Sequence, residues 1–484
     1  MARGCSASGS VRGGQATYAT SSLTGGPHNI TAEYSGDGTW PSASAAYGLT
    51  VNAAVTLTLT SSSMTPAYGQ PVTLTVNATA AVPPGFAAPT GQVTFFVPGA
   101  ALFSQPTQLG SASLVSGTAA LTVNSLAAGS QTITAQYSGD SIWTSSSGSI
   151  TITVSPVASN STLSLSLDAG QVVLAAMVAP AGSGGGIPTG DVQFVDTSTN
   201  TPVGSATLAN GKASLKAGES AAATVLGRPV AAIYSGDSNF KGSTSAPLPA
   251  IVNATASFSA SFATDEIDSI FGIPGLKGDT PATIPLPDSL DGVTIKVTDS
   301  AGTDRVAPLY GAFASANQVN FMIPAGAAPG LAILAITVPS GGTITTAIEI
   351  AGAAPGIFTA NQTGQGPYAG QIIYAHADGT QTVVNSVAPG SGSDFSPNPM
   401  SMSAPGDQVY LVLYGTGIRH AATVTAAING VNVPVAFCGA QGTYEGLDQL
   451  NLGPLPSTIG AGVLNLVITA DGQAANIVTL AIQQ

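Results

Sequence analysis

The chain has 484 residues, of which only 10 are Lys or Arg and 23 are Asp or Glu, for a net charge of −13. The charged fraction is 7% against about 25% in ordinary globular chains, so Ser, Thr, Asn, Gln and Gly must cover the surface, which favours strands and turns and excludes a helical bundle. Hydrophobics at 44% exclude wholesale disorder, and the scarcity of cations argues against nucleic acid or an anionic membrane surface as a partner.

The first 30 residues contain no apolar core of the kind a signal peptide needs. Ala2-Arg3-Gly4-Cys5 approaches a lipoprotein cleavage site but has Arg3 where a small or apolar residue belongs. The longest aliphatic run, residues 331–338, falls far short of the roughly 20 residues that span a bilayer, so no membrane span is expected. Cys5 and Cys438 lie in different candidate domains, and no disulfide within a domain is expected.

Repeats dominate the first half. HNITAEYSGDGTW (28–40) returns as QTITAQYSGDSIW (131–143) and PVAAIYSGDSNF (229–240). PTGQVTFF (89–96) returns as PTGDVQFV (188–195). The period is near 100 residues, the length of one β-sandwich domain. The best-formed copy holds seven short alternating runs, at 55–60, 71–76, 91–97, 109–114, 118–123, 131–137 and 149–154, which predict a seven-stranded sandwich. Period-two patterning puts Ile30, Ala32 and Tyr34 on one face, with Ile133, Ala135, Tyr137 and Val230, Ala232, Tyr234 as their equivalents. Each repeated tyrosine therefore points inward and needs a hydrogen-bond partner, as in a tyrosine corner. Gly36, Gly139 and Gly236, with Asp37, Asp140 and Asp237, supply turn chemistry for the last hairpin. Trp40, Trp143 and Phe240 follow each turn. They could stack on sugar rings, or fold back and plug the end of the core; the third-copy Phe favours the plug.

These motifs resemble the bacterial Ig-like repeats of long extracellular and cell-surface proteins, over residues 1–253. The resemblance implies spacing, display or adhesion, with no shared catalytic residues. The first copy has only the runs equivalent to strands five to seven. Half a sandwich leaves its core face open, so residues 1–50 are expected to be the least stable part. The simplest expectation is that the chain is the C-terminal part of a longer one.

Beyond residue 253 the period is lost and the acidic balance concentrates. Strand alternation persists at 293–299, 318–324, 343–350, 407–414, 422–437 and 463–482, with Asn429-Gly430 and Asp471-Gly472 as hairpin turns. A short helix is expected at 264–271, with Asp265 and Glu266 in its first turn. NQVN (317–320) parallels DQLN (448–451), which suggests an internal duplication. The stretches 297–330, 354–366, 407–419 and 446–482 resemble a C-terminal region shared by many large bacterial proteins. That resemblance brings no assigned activity and no functional residues. Val306 stands where it would have a proline.

Candidate chemistry is sparse. No G-x-S-x-G, HExxH, Walker A or EF-hand loop occurs. The Gly-rich stretch 364–370 has the wrong spacing for a dinucleotide fingerprint. His28, His376 and His420 have no Cys or His neighbours at ligand spacing. Asp265, Glu266 and Asp268 could form a Ca²⁺ cluster, but a solvated helical turn is the favoured reading. No cofactor is called for.

The expected architecture is all-β, with tandem Ig-like sandwiches followed by a two-part β-sandwich region. The expected domains are a partial repeat (1–53), complete repeats (54–155 and 156–253), an acidic sandwich (254–352) and a second sandwich (353–484). The expected function is a noncatalytic extracellular or surface stalk and interaction protein of monomeric modules, with an unknown surface or polysaccharide ligand. The alternatives are a carbohydrate-binding accessory region of a secreted polysaccharide-degrading enzyme, or a C-terminal secretion or anchoring module.

Overall fold

The computed structural model describes residues 7–80, 87–99, 105–182, 185–218, 224–253, 261–388, 395–402 and 406–483. The fold is all-β, with no α-helix among the described residues. The chain divides into two compact units. The first comprises residues up to Ser159 with Pro180–Ile187 and Gly236–Lys241; the second comprises Asn160–Ala179, Pro188–Ser235 and Gly242–Gln484.

The partial repeat is one hairpin, β1 (Gly26–Tyr34) and β2 (Ala43–Val51). The first complete repeat has all seven expected strands: β3 (Thr56–Ser61), β4 (Val72–Thr79), β5 (Gln92–Val97), β6 (Thr107–Ser113), β7 (Thr118–Val123), β8 (Gly129–Tyr137) and β9 (Ser146–Val154). They form two sheets, β3-β4-β7 and β6-β5-β8-β9. Alternation explains the core between them. Leu57, Leu74, Val76, Val93, Phe95, Ile133, Ala135 and Ile152 point inward and are buried, while the threonines between them face water.

Hairpin β1–β2 has the same register as β8–β9, since Tyr34 pairs with Ala43 as Tyr137 pairs with Ser146, 103 residues on. Among the described residues no second sheet covers its apolar face. Ile30 is exposed where Ile133 is fully buried, and Tyr47 is exposed on the opposite strand. Limited proteolysis is therefore expected to cut within 7–51 well before 56–154. Equal resistance of the two segments would refute the open-face account.

The second complete repeat keeps the order of the first. Its strands are β10 (Ser159–Asp168), β11 (Gln171–Pro180), β12 (Asp191–Asp196), β13 (Thr201–Thr207), β14 (Lys212–Ala217), β15 (Val230–Gly236) and β16 (Lys241–Thr244). They pair as β10-β11-β14 and β13-β12-β15-β16. The period placed residues 250–253 with this repeat. There β17 (Ala250–Asn253) pairs with β19 of the next sandwich, while the Ile251 amide donates back to the Gly227 carbonyl at 2.9 Å. Residues 254–260 lie outside the described residues.

The first C-terminal sandwich holds β17, β18 (Ser261–Ala263), β19 (Ile267–Phe271), β20 (Asp279–Pro281), β21 (Thr294–Thr298), β22 (Asp304–Val306), β23 (Leu309–Phe313), β24 (Gln318–Met322), β25 (Gly330–Thr337) and β26 (Thr343–Ala351). Its sheets run β17-β19-β24-β23-β20 and β18-β26-β25-β21-β22. The expected helix at 264–271 does not form. Residues 264–265 turn, and β19 follows with alternating burial that places Asp268 and Ile270 inside.

The second C-terminal sandwich holds β27 (Gly356–Ile357), β28 (Gly366–Pro367), β29 (Gly370–Ala375), β30 (Gln381–Asn385), β31 (Val387–Ala388), β32 (Ser396–Pro397), β33 (Pro399–Ser401), β34 (Gln408–Thr416), β35 (Val424–Ile428), β36 (Val431–Val433), β37 (Val435–Ala440), β38 (Asp448–Leu452), β39 (Gly462–Ala470), β40 (Gln473–Ala474) and β41 (Val478–Gln483). The order β29-β34-β38-β37 repeats β17-β19-β24-β23, and β28-β41-β39-β35-β36 repeats β18-β26-β25-β21-β22. Both edge strands, β18 and β28, join in parallel. Both β23–β24 and β37–β38 carry a bulge beside the matching asparagine, Asn320 or Asn451. Gln318 donates to Asn320 as Gln449 donates to Asn451. The region is an internal duplication with an offset of 131 residues between these pairs. The two expected turns are also present: Asn429-Gly430 and Asp471-Gly472 all have positive φ, as tight hairpins require.

Candidate functional site

The repeated turn is built the same way three times. The Asp37 carboxylate accepts from the Thr39 and Trp40 amides at 2.8 and 2.9 Å. Asp140 accepts from Ile142 and Trp143, both at 2.8 Å. Asp237 accepts from Asn239 and Phe240 at 2.7 and 2.8 Å. Each aspartate thus caps the loop that carries its aromatic. The preceding glycines have φ of +84° at Gly36, +82° at Gly139 and +93° at Gly236. At Gly139 a Cβ would lie 2.8 Å from the Trp143 carbonyl oxygen, so the close loop return also demands glycine.

Tyr137 is fully buried, and its hydroxyl donates to the Thr90 carbonyl at 2.7 Å. The partner lies 47 residues upstream, across the sheet, and not within the same corner. The Thr90 amide and hydroxyl in turn donate to Asp140 at 3.0 and 2.8 Å. Burial, then the nearby Asp140 carboxylate, pushes the Tyr137 phenol up to about 12. Burial works against ionisation of Asp140, but the donors from Ile142, Thr90 and Trp143 outweigh it and hold the carboxyl down at about 2. In the open first copy the Tyr34 phenol turns instead to Asp37, which raises it. Tyr234 is buried in β15.

Tyr137→Phe is expected to destabilise its sandwich by about 1–2 kcal/mol, the cost of leaving the Thr90 carbonyl without its donor. Denaturant unfolding followed by Trp143 emission checks this, and an unchanged midpoint would show that water replaces the hydroxyl.

The three aromatics part company. Trp143 is 2% exposed and Phe240 1%, whereas Trp40 is 66% exposed. Phe240 packs edge-on against Tyr68, with ring centroids 5.4 Å apart. Neither Trp143 nor Phe240 has a face left for a sugar, so the ligand-contact reading fails for both. Trp40 keeps that face: among the described residues its hairpin forms a two-stranded sheet with no second sheet packed on it.

The acidic group in the C-terminal half is not a solvated turn. Glu266 and Asp268 are fully buried. No group of three or more His, Cys, Asp or Glu side chains placed to hold a metal occurs among the described residues. His376 Nδ1 meets Asp407 at 2.6 Å and its Nε2 meets Thr382 at 2.9 Å. His420 meets Asp265 at 2.7 Å. His28 contacts the Thr24 carbonyl within its own strand leader. Cys438 is half-buried, and burial followed by the Asp448 charge pushes its thiol up; Cys5 lies outside the described residues. Sequence reading missed a buried ion pair, Arg419 with Asp448. A cleft of about 500 Å³ is lined by Tyr68, Gln70, Pro71, Val157 and Pro180 among others, with no acid, base or cysteine. No helix among the described residues is long and apolar enough to cross a membrane.

Residues 59–155 and 158–253 match the family model described as bacterial Ig-like domain, group 3. These segments, less than half of the chain, hold the two complete sandwiches with identical sheet order. No curated protein matches the chain. Among solved structures it is similar to a tetra-tandem repeat in the extending region of a large adhesion protein, at 15% identity over 76% of this chain and 96% of that one, with a TM-score of 0.26. It is also similar to SGBP-B of the Bacteroides ovatus mixed-linkage glucan utilization locus, in complex with a mixed-linkage heptasaccharide. That match has 10% identity over 87% of this chain and 65% of the other, with a TM-score of 0.23.

Proposed function

We propose that the chain is a noncatalytic, extracellular or cell-surface stalk and interaction protein, in which tandem sandwiches space and present binding surfaces. The observation that carries this reading is the fate of the repeat signature. Tyr137, Gly139, Asp140 and Trp143 are all consumed by a core and a turn, which leaves the most repeated polar residues nothing for chemistry. The histidines support it, because His376 spends both ring nitrogens on Asp407 and Thr382. The surface of uncharged polar side chains and the two group 3 Ig-like matches fit exposure outside the cell. A hydrolase substrate panel tests the noncatalytic half, with no turnover expected. Turnover abolished by one Asp or Glu substitution within 254–484 would overturn it.

A second reading, contact with a polysaccharide, is favoured by Trp40 and Tyr47, 66% and 68% exposed on one hairpin. Aromatic faces of this kind can stack on sugar rings. A polysaccharide pull-down that is lost on Trp40→Ala, with the fold intact, would promote this reading over the stalk.

A further inference from the structure

We propose that Glu266 and Asp268 are carried uncharged inside the first C-terminal sandwich, and that the protons they hold lock the turn at 264–267 against the second, so that this joint loosens as pH rises. Asp268 sits in β19 opposite Phe321 of β24 and beside inward-facing Ile270. It is fully buried, and among the described residues neither carboxyl oxygen has a hydrogen-bond partner. Glu266, two residues earlier on the same face, accepts from the Ala263 amide at 2.6 Å with one oxygen; the other is buried with no partner among the described residues.

The duplicated sandwich shows that the architecture does not require acids there. Leu411 pairs with Leu452 as Asp268 pairs with Phe321, and Val409 stands two residues earlier, where Glu266 stands. Both Leu411 and Val409 are buried in the second core. Ionised carboxylates at such positions would lose their hydration without replacement. Burial pushes both groups well above the usual carboxylate range, and Asp268 and then Asp448 push Glu266 further.

The turn that carries these acids is also the contact with the second sandwich. The Ile267 amide donates to the Thr416 hydroxyl at 2.8 Å, which donates to the Gly446 carbonyl at 3.1 Å. Asp265 meets His420. Gly417 lies so close that a Cβ there would be 3.1 Å from the Glu266 carboxyl carbon. Other charged groups around the turn include Asp448, engaged by Arg419, Glu445, which precedes the Gly446 that packs against Ile267, and Glu349, which faces outward from β26.

The sign follows from linkage. The folded-state pKa values are raised, so the stabilisation is complete below the unfolded carboxyl value, about 4. It is lost as pH rises through the folded values. Hydrogen exchange on the full chain from pH 5 to 9, corrected for intrinsic rates, reads the amides of Ile267–Phe271 and of residues 416–418. The opening equilibrium is expected to rise by up to about tenfold per pH unit for each linked proton. Asp268→Leu with Glu266→Val, copying the duplicate, is expected to flatten the profile. Asp268→Asn with Glu266→Gln keeps the shapes if the apolar pair does not fold, and is expected to flatten it too. His420→Gln is expected to leave the slope in place. A flat profile in the unsubstituted chain, a slope that survives the double substitutions, or one that disappears with His420→Gln would overturn the proposal. Protection restored at pH 9 by calcium chloride would overturn it in favour of a cation site.

Discussion

Trp143→Ala is expected to destabilise the first complete repeat by about 3–5 kcal/mol, the range for removing a large buried aromatic. The indole is 2% exposed at the end of a core that includes Val93, Phe95 and Tyr137. Its backbone segment is held from two sides. The Asp140 carboxylate accepts the Trp143 amide, and Ala53 takes the Thr144 amide while donating to the Ile142 carbonyl. Such bracing prevents the loop from collapsing into the vacated space, which keeps the loss near the upper end for its class. Trp143→Phe should cost far less, because Phe240 fills the equivalent position in the next repeat. Trp40→Ala should stay within about ±0.5 kcal/mol, since the side chain is exposed. Denaturant unfolding of the three variants, with hydrogen exchange on β8 as the local readout, checks the order. Equal midpoints for Trp143→Ala and Trp40→Ala would show that the end of the core is not sealed by the indole.

The contrast between these two tryptophans marks how far the sequence could be read. The 100-residue period and the two-residue alternation located every strand of the first complete repeat, because each strand has one buried face and polar residues on the other. The Asp-capped turn was legible for the same reason: its donors lie two and three residues away. Non-local partners were not. Thr90, which receives the Tyr137 hydroxyl, lies 47 residues upstream, and no spacing rule points to it. The helix expected at 264–271 rested on reading Asp265 and Glu266 as hydrated acids at a helix start. Alternation across Asp268 and Ile270 already favoured a strand, but that reading requires a carboxyl in the core, against the usual placement of charged side chains. Asp448 entered the sequence reading only as the first residue of DQLN, and its partner Arg419 lies 29 residues upstream, where no spacing rule points.

Asp448→Ala is expected to destabilise the second C-terminal sandwich by about 3–5 kcal/mol, the usual cost of removing one partner from a buried ion pair. Asp448 is fully buried at the start of β38. One oxygen accepts the Ile418 and Arg419 amides at 2.7 and 3.1 Å, and the other accepts Arg419 Nε. The guanidinium also donates to the Leu447 carbonyl at 2.9 Å. Burial raises the carboxyl, while the donors from Ile418 and Arg419 work to keep it ionised. Removing it strands two backbone amides and a mostly buried cation together. Asp448→Asn leaves an oxygen that can serve the amides but presents no charge to the guanidinium, so its effect should be smaller. Arg419→Ala should fall below Asp448→Ala, because the carboxyl left behind still holds two amides and can take up a proton. Calorimetry of the full chain, with hydrogen exchange at β34 and β38 assigning the affected transition, reads the ranking. A double substitution of Arg419 and Asp448 no worse than Asp448→Ala alone would confirm that the cost is the stranded cation. Losses that simply add would show that the two side chains act independently, and that β38 is anchored by its apolar residues Leu450 and Leu452.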